Sequence, residues 1–242
     1  MMMHQQLEGQ HVVIAGGSSG MGYGAAEEAL RCGAQVTIVG STKEKTDRAV
    51  ASLGGTSFGA VADILNEQSL RNLADQLDTI DHLFITASPG GTNRLTDLDF
   101  DIKKSYLYGK VWSSLMTVKI LLPKISTSGS VTFLTGGFAV KPDGKATLVT
   151  GAYAALEGLT EALALELAPI RVNNIRPGMI DSPLWDFMDE KEREDLFAAE
   201  KNKNPLHRIG TISDIGRAAV FLMANDYITG DTLDISGGRN IT

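Results

Sequence analysis

Cysteine is almost missing from this chain. Cys32 is the only one among 242 residues, so an intrachain disulfide cannot form, which fits a reducing compartment. No cluster of lysine and arginine stands out: 22 basic residues face 29 acidic ones, for a formal charge of −7. Nucleic acid and acidic membranes therefore lack electrostatic support as partners. The polar start MMMHQQLEGQ has no apolar stretch of the kind a secretory signal carries, and no apolar run reaches membrane-spanning length. A soluble, cytoplasmic protein with a small-molecule substrate and no metal site is expected. Repeats, linkers and low-complexity tracts are missing too, so one domain over residues 1–242 accounts for the chain. The composition, 43% hydrophobic and 21% charged, suits one good-sized core.

What is present is an alternation. Short apolar runs at 11–16, 35–40, 57–62, 82–87, 130–135, 171–176 and 231–236 read as strands. Several are continuous Val, Ile, Leu and Phe, as strands covered on both faces require. Helical patterns fill the intervals, at about 20–32, 43–53, 66–78, 97–122, 149–168, 189–200 and 212–224. Such alternation predicts an α/β fold of Rossmann type: a doubly wound, parallel, seven-stranded sheet with helices on both faces. The segment 184–205 differs, with Leu184, Phe187, Met188, Leu196 and Phe197 around a highly charged middle. It is either a surface helix with a solvated face or a mobile lid. Its place after a strand end, where open α/β sheets bind ligands, favours the lid.

AGGSSGMG (15–22) follows the first strand and opens a helix. Gly16 permits a tight turn, Gly20 lets the backbone approach a ligand, and Gly22 allows close helix–strand packing. The helix start, with Ser18, Ser19 and Met21, offers free N–H groups and positive potential to a pyrophosphate. The second strand ends in VGST. An acid there would bind the ribose 2′-hydroxyl of NAD and repel a 2′-phosphate, but Gly40 stands in its place. Ser41, Thr42 and Lys43 follow, and two hydroxyls and an ammonium suit a phosphate, which favours NADP(H) over NAD(H). A helix cap with a solvated lysine is the competing reading. Asp63, beside Ile64 in VADI, is placed either to accept from the adenine amino group or to cap the next helix.

With DHLFITAS, ALEGLTEALALELAPIRVNNIRPG and HRIGTISDI…ITGDTLDISGG, these motifs resemble the short-chain dehydrogenase/reductase family from about residue 7 to 238. The resemblance implies NAD(P)-dependent redox chemistry on alcohols or carbonyls. It also implies homodimers or homotetramers, often built through the helices at 97–122 and 149–168. Ala87 would lie near the adenosine and the backbone near Ile180 at the nicotinamide carboxamide. Ser182, in RPGMIDS, would stand in for the family's threonine.

The family's catalytic asparagine, serine, tyrosine and lysine are all missing. A gapless match to the family's YxASKAALEGLT puts Tyr153 on the lysine position and Val149 on the tyrosine position. Gly136, after Thr135, takes the serine's place, and Lys110 takes the asparagine's. A shifted match would make Tyr153 the proton donor with Glu157 four residues on, although a glutamate there raises a phenol pKa. The resemblance sets positions 110 and 153 at the nicotinamide ribose. A rearranged pair is therefore expected, in which the Lys110 ammonium polarises the Tyr153 phenol or stabilises an oxyanion directly. Thr135 would offer a hydroxyl close to the missing serine's. The competing readings are an aromatic filling the lost lysine's volume and a lysine snorkelling to the cleft mouth. Substrate-pocket walls are expected from 88–96, 137–148 and 184–205. Two rival functions remain beside an oxidoreductase: an NADP-binding protein without turnover, and a non-redox enzyme on the same fold.

Overall fold

The computed structural model describes residues 6–88, 94–98 and 100–242. Residues 89–93, part of one expected pocket wall, and the first five residues of the polar start lie outside them.

Along the chain run β1 (His11–Ala15), α1 (Gly20–Arg31), β2 (Gln35–Gly40), α2 (Lys43–Leu53), β3 (Ser57–Val61), α3 (Glu67–Gln76) and β4 (Ile80–Ile85). There follow α4 (Ser113–Leu121), β5 (Ile125–Leu134), α5 (Thr147–Glu166), β6 (Arg171–Pro177), β7 (Ile180–Asp181), α6 (Glu190–Lys203), β8 (Gly210–Thr211), α7 (Ile212–Ala224) and β9 (Thr232–Ile235). Seven strands pair in parallel in the order β3-β2-β1-β4-β5-β6-β9, and β7 pairs with β8 apart from them.

The apolar runs form strands because both faces of the sheet are covered. In β1, Val12 and Ile14 enter one core with Ala25, Ala29 and Ile215, while Val13 enters the other with Leu70, Leu73 and Leu121. All three β1 side chains are fully buried. Burial stabilises each by roughly 1.5–3 kcal/mol, so these three positions must be apolar, whereas half-buried His11 at the strand's start is free to be polar. Strand order reverses between β1 and β4, and the crevice at the carboxyl ends of those two strands is where such sheets take ligands.

Three sequence expectations need correction. The helix expected at 97–122 is broken at its start. Short 3-10 turns occupy Leu95–Asp97 and Ile102–Lys104, then a π turn spans Tyr108–Trp112 and leads into α4. Asp101 accepts from Lys103 N at 3.2 Å, a local bond that competes with helix at this point. The pair β7 and β8 was not foreseen, because two-residue strands carry no periodicity. Finally, α5 is 20 residues long and apolar enough, by length and composition, to cross a membrane. Here it lies against β6 as one layer of the fold.

Candidate active site

A cavity of about 1130 Å³ opens at the carboxyl ends of β1, β2 and β4. Gly16, Ser18, Ser19, Gly20, Met21 and Gly22 form one wall. Gly16 has φ +96°, and a Cβ there would meet Ala87 N at 2.6 Å, so only glycine lets the turn pass β4. Gly20 has φ +58°, and a Cβ there would find only Ser182 and Pro183, both at 3.9 Å, so its backbone faces open space. Ser19 precedes α1 without a side-chain cap, and no acid occupies the first turn. The helix thus presents uncapped N–H groups and its positive end to the cavity, which is the donor set a pyrophosphate needs. These features fit the implied dinucleotide.

Ser41, Asp63 and Ile64 line the end of the cavity where the adenosine is expected. Asp63 does not cap the next helix; Asn66 does, accepting from Ser69 N at 2.9 Å. The Asp63 carboxylate instead accepts from Leu65 N at 2.9 Å. Lys43 and Thr42 are corrections. Lys43 turns along α2 to Asp47 at 2.6 Å and neither residue lines the cavity. Lys45 and Arg48 do. The signal for them was present but indirect: residues at the start of a helix face the preceding strand end by helical phase, not by adjacency. Arg48 also meets Glu44 at 2.7 Å on the exposed surface.

At the opposite end, Ala87, Lys110, Thr135, Tyr153 and Ser182 share the cavity. Ile180 is a correction: it lies outside this cavity, and its carbonyl accepts from Trp185 Nε1 at 2.8 Å. Nor does Val149, which the gapless match sets on the tyrosine position, line the cavity; it is buried in α5.

Gly136 and Tyr153 are physically coupled. A Cβ at Gly136 would come within 2.7 Å of Tyr153 Cε2, so a glycine here makes room for the phenol ring. The expected ammonium–phenol pair is not formed. The Lys110 amine, carried by the π turn, donates to the Ala87 carbonyl at 3.2 Å. Tyr153 shares a 3.0 Å hydrogen bond with Tyr106, and the two rings meet edge to face. Tyr106 in turn shares a short hydrogen bond with Ser88. Burial raises the Tyr153 phenol well above its ordinary value, and Tyr106 adds to the rise. Burial lowers the Lys110 amine to about 7, because nothing anionic offsets its desolvation.

Thr135 is also committed elsewhere. Its hydroxyl donates to Glu157 at 3.0 Å and accepts from the Asn174 amide at 2.8 Å. Glu157 is held by Arg176 through bonds of 2.6 and 2.9 Å. The shifted match fails for the same reason: Glu157 faces Thr135 and Arg176 rather than Tyr153. Tyr106 was missed in the sequence. Its only signal was its spacing, four residues before Lys110, which puts both on one side of a helical turn.

A family model described as enoyl-(acyl carrier protein) reductase matches residues 15–240. A short-chain dehydrogenase/reductase of Arabidopsis thaliana, SDRA, is 32% identical over 97% of this chain and 96% of its own. The solved structure of the MalC reductase/Diels-Alderase of Malbranchea aurantiaca superposes with a TM-score of 0.92 at 27% identity, covering 100% of both chains. An NADPH-bound short chain oxidoreductase of Pseudomonas aeruginosa PAO1, described as containing an atypical catalytic center, gives 0.86 at 27% identity over 95% of this chain and 96% of that one. Sheet order, glycine turn and these matches agree: the chain belongs to the short-chain dehydrogenase/reductase family.

Proposed function

We propose that this protein is an NADP(H)-dependent oxidoreductase that interconverts a small or medium carbonyl and its alcohol through a rearranged site. One observation carries the reading: the Tyr153 phenol and the Lys110 amine line the same cavity as the glycine turn. The glycine turn and the α1 N-terminus would hold the pyrophosphate, and Ser41, Lys45 and Arg48 the 2′-phosphate. The cofactor's nicotinamide, when bound, supplies or accepts hydride. The NADPH-bound short chain oxidoreductase with an atypical catalytic center supports the cofactor.

The chain's own task is the proton. Tyr153 is the hydroxyl donor in the buried part of the cavity, and its high pKa does not disqualify it. An alkoxide is a far stronger base than any phenolate, so transfer to it runs downhill. Among the described residues, no cation is bonded to the phenol. Lys110, with a pKa of about 7, is only partly charged at neutral pH and bonds to Ala87 rather than to the phenol. It contributes potential across the cavity rather than acidifying Tyr153.

The uncharged surroundings of Tyr153 favour a second reading, a protein that binds NADP(H) without redox turnover. Fluorescence titration with NADPH and NADH, followed by an aldehyde and ketone panel, separates the two. Turnover that Tyr153→Phe reduces by about 10²–10⁴-fold is the expected result. Binding with no turnover on any carbonyl selects the second reading. Product formed without net cofactor change would select a non-redox enzyme. An assembly of two or four copies belongs to the same proposal, and exposed Trp112 and Leu165, near α4 and on α5, support it; sedimentation measures it.

A further inference from the structure

Three hydroxyls run in single file from the inside of the cavity to the surface. Tyr153 is the inner one: its ring is packed against Gly136 and its oxygen bonds to Tyr106 at 3.0 Å. Tyr106 is half-buried and occupies the middle, bonded on its other side to Ser88. Ser88, just past the end of β4, is exposed. Each hydroxyl has one proton to give and lone pairs to accept with, so the file can pass a proton in either direction by rotation of its O–H bonds. None of the three is bonded to a charged group among the described residues. Lys110, the nearest buried amine, donates to the carbonyl of Ala87, immediately before Ser88.

We propose that Tyr106 is a relay residue, which hands protons arriving at Ser88 to Tyr153 and so restores the donor after each turnover. The inference rests on the reading of Tyr153 as the proton donor. When the carbonyl carbon receives hydride from the reduced nicotinamide, its oxygen takes the Tyr153 proton: one O–H bond breaks and one forms. Tyr153 then takes the Tyr106 proton, Tyr106 takes the Ser88 proton, and Ser88 takes one from water. The sum is carbonyl plus hydride plus one solvent proton giving alcohol, with all three hydroxyls unchanged. The raised pKa of Tyr153 is in keeping with such a route, since its phenolate is disfavoured and is reprotonated rather than stored, and the Tyr106 hydroxyl at 3.0 Å is the proton source bonded to it.

Tyr106 acts through Tyr153, so the deciding measurement does not depend on turnover. With tyrosine labelled at the ring carbon bearing oxygen, in water half replaced by heavy water, NMR reports how fast the Tyr153 hydroxyl exchanges with solvent. The native protein is expected to give one averaged line for Tyr153. Tyr106→Phe, which keeps the ring packing, is expected to split it into two lines, and Ser88→Ala to do the same. The same variants are expected to lower carbonyl reduction by about tenfold or more. NADPH affinity should stay within about twofold of native, since neither hydroxyl is needed for the pyrophosphate grip. Unchanged Tyr153 exchange in Tyr106→Phe overturns the relay, whatever happens to turnover. Full turnover in Tyr106→Phe with loss in Tyr153→Phe also overturns it and leaves Tyr153 as donor. Full turnover in Tyr153→Phe overturns the reading beneath it.

Discussion

A buried amine with one neutral partner is an unstable thing to build, and Lys110 is one. It is 1% exposed and, among the described residues, its amine bonds to a carbonyl alone, so the folded state disfavours its charge and brings it from 10.5 to about 7. The unfolded chain then holds more protons than the folded one between those two values, and stability from this residue rises with pH across that window. Below it the penalty is fully present; above it both states are neutral and the penalty is gone. Lys110→Met keeps the length and removes the charge. It is therefore expected to raise the Tm, most strongly at about pH 6, with a gain that shrinks toward about pH 10. Parallel melting curves of the two proteins check this, and an equal gain at both pH values would show that the buried charge is not its cause. Gapless matching reads all four catalytic positions as changed, because it locates a position whatever occupies it. It did not reveal the new partners. Whether Lys110 meets Tyr153 or the Ala87 carbonyl depends on side-chain direction, and Tyr106, which does meet Tyr153, matches no motif.

Elements were the most legible level, since burial on two faces writes itself into continuous apolar runs. The exceptions were where local bonding overrides periodicity: the broken start of the helix before α4, and the two-residue strands β7 and β8. The β2–α2 turn illustrates the same limit within a correct element. Both ends were read rightly, yet Lys43 leaves along the helix to Asp47 while Lys45 and Arg48 turn back to the cavity. If these two recognise a 2′-phosphate, their loss must discriminate between cofactors. Lys45→Ala and Arg48→Ala are each expected to weaken NADPH binding by about tenfold, the equivalent of one charge-assisted bond at roughly 1.5–3 kcal/mol. NADH, with no phosphate there, should be unaffected. Lys43→Ala should change neither. Fluorescence titration of both cofactors against the three variants measures this, and an effect confined to Lys43→Ala would restore the original assignment.

At the scale of the whole molecule, α6 is held differently at its two ends. The carboxyl end of α6 is tied down. Glu200 accepts from Arg239 at 2.7 Å, and the buried Asn204 amide donates to the carbonyls of Ser236 and Arg208, both at 3.1 Å. The amino end has weaker anchors. A capping box at Asp189 starts the helix, Phe197 rests edge to face on Trp185, and Arg193 pairs with Asp181 and Asp186 in partly exposed bridges. Exposed pairs of that sort contribute about 0–1 kcal/mol, whereas the Glu200 and Arg239 side chains are 14% and 20% exposed and are screened less. If the segment at 184–205 acts as the expected lid, these contacts make it a flap attached at its carboxyl end; α6 has no buried residue, and Leu184 and Asp186 ahead of it line the cavity. Cutting the tie should free it. Arg239→Ala is expected to speed proteolysis within 186–203 by several-fold and to raise KM for the carbonyl. NADPH affinity should stay within about twofold, because the glycine turn is on the other side of the crevice. Arg193→Ala should do much less. If instead Arg193→Ala is the more damaging change, the free and fixed ends of the flap are the reverse of those assigned from these contacts.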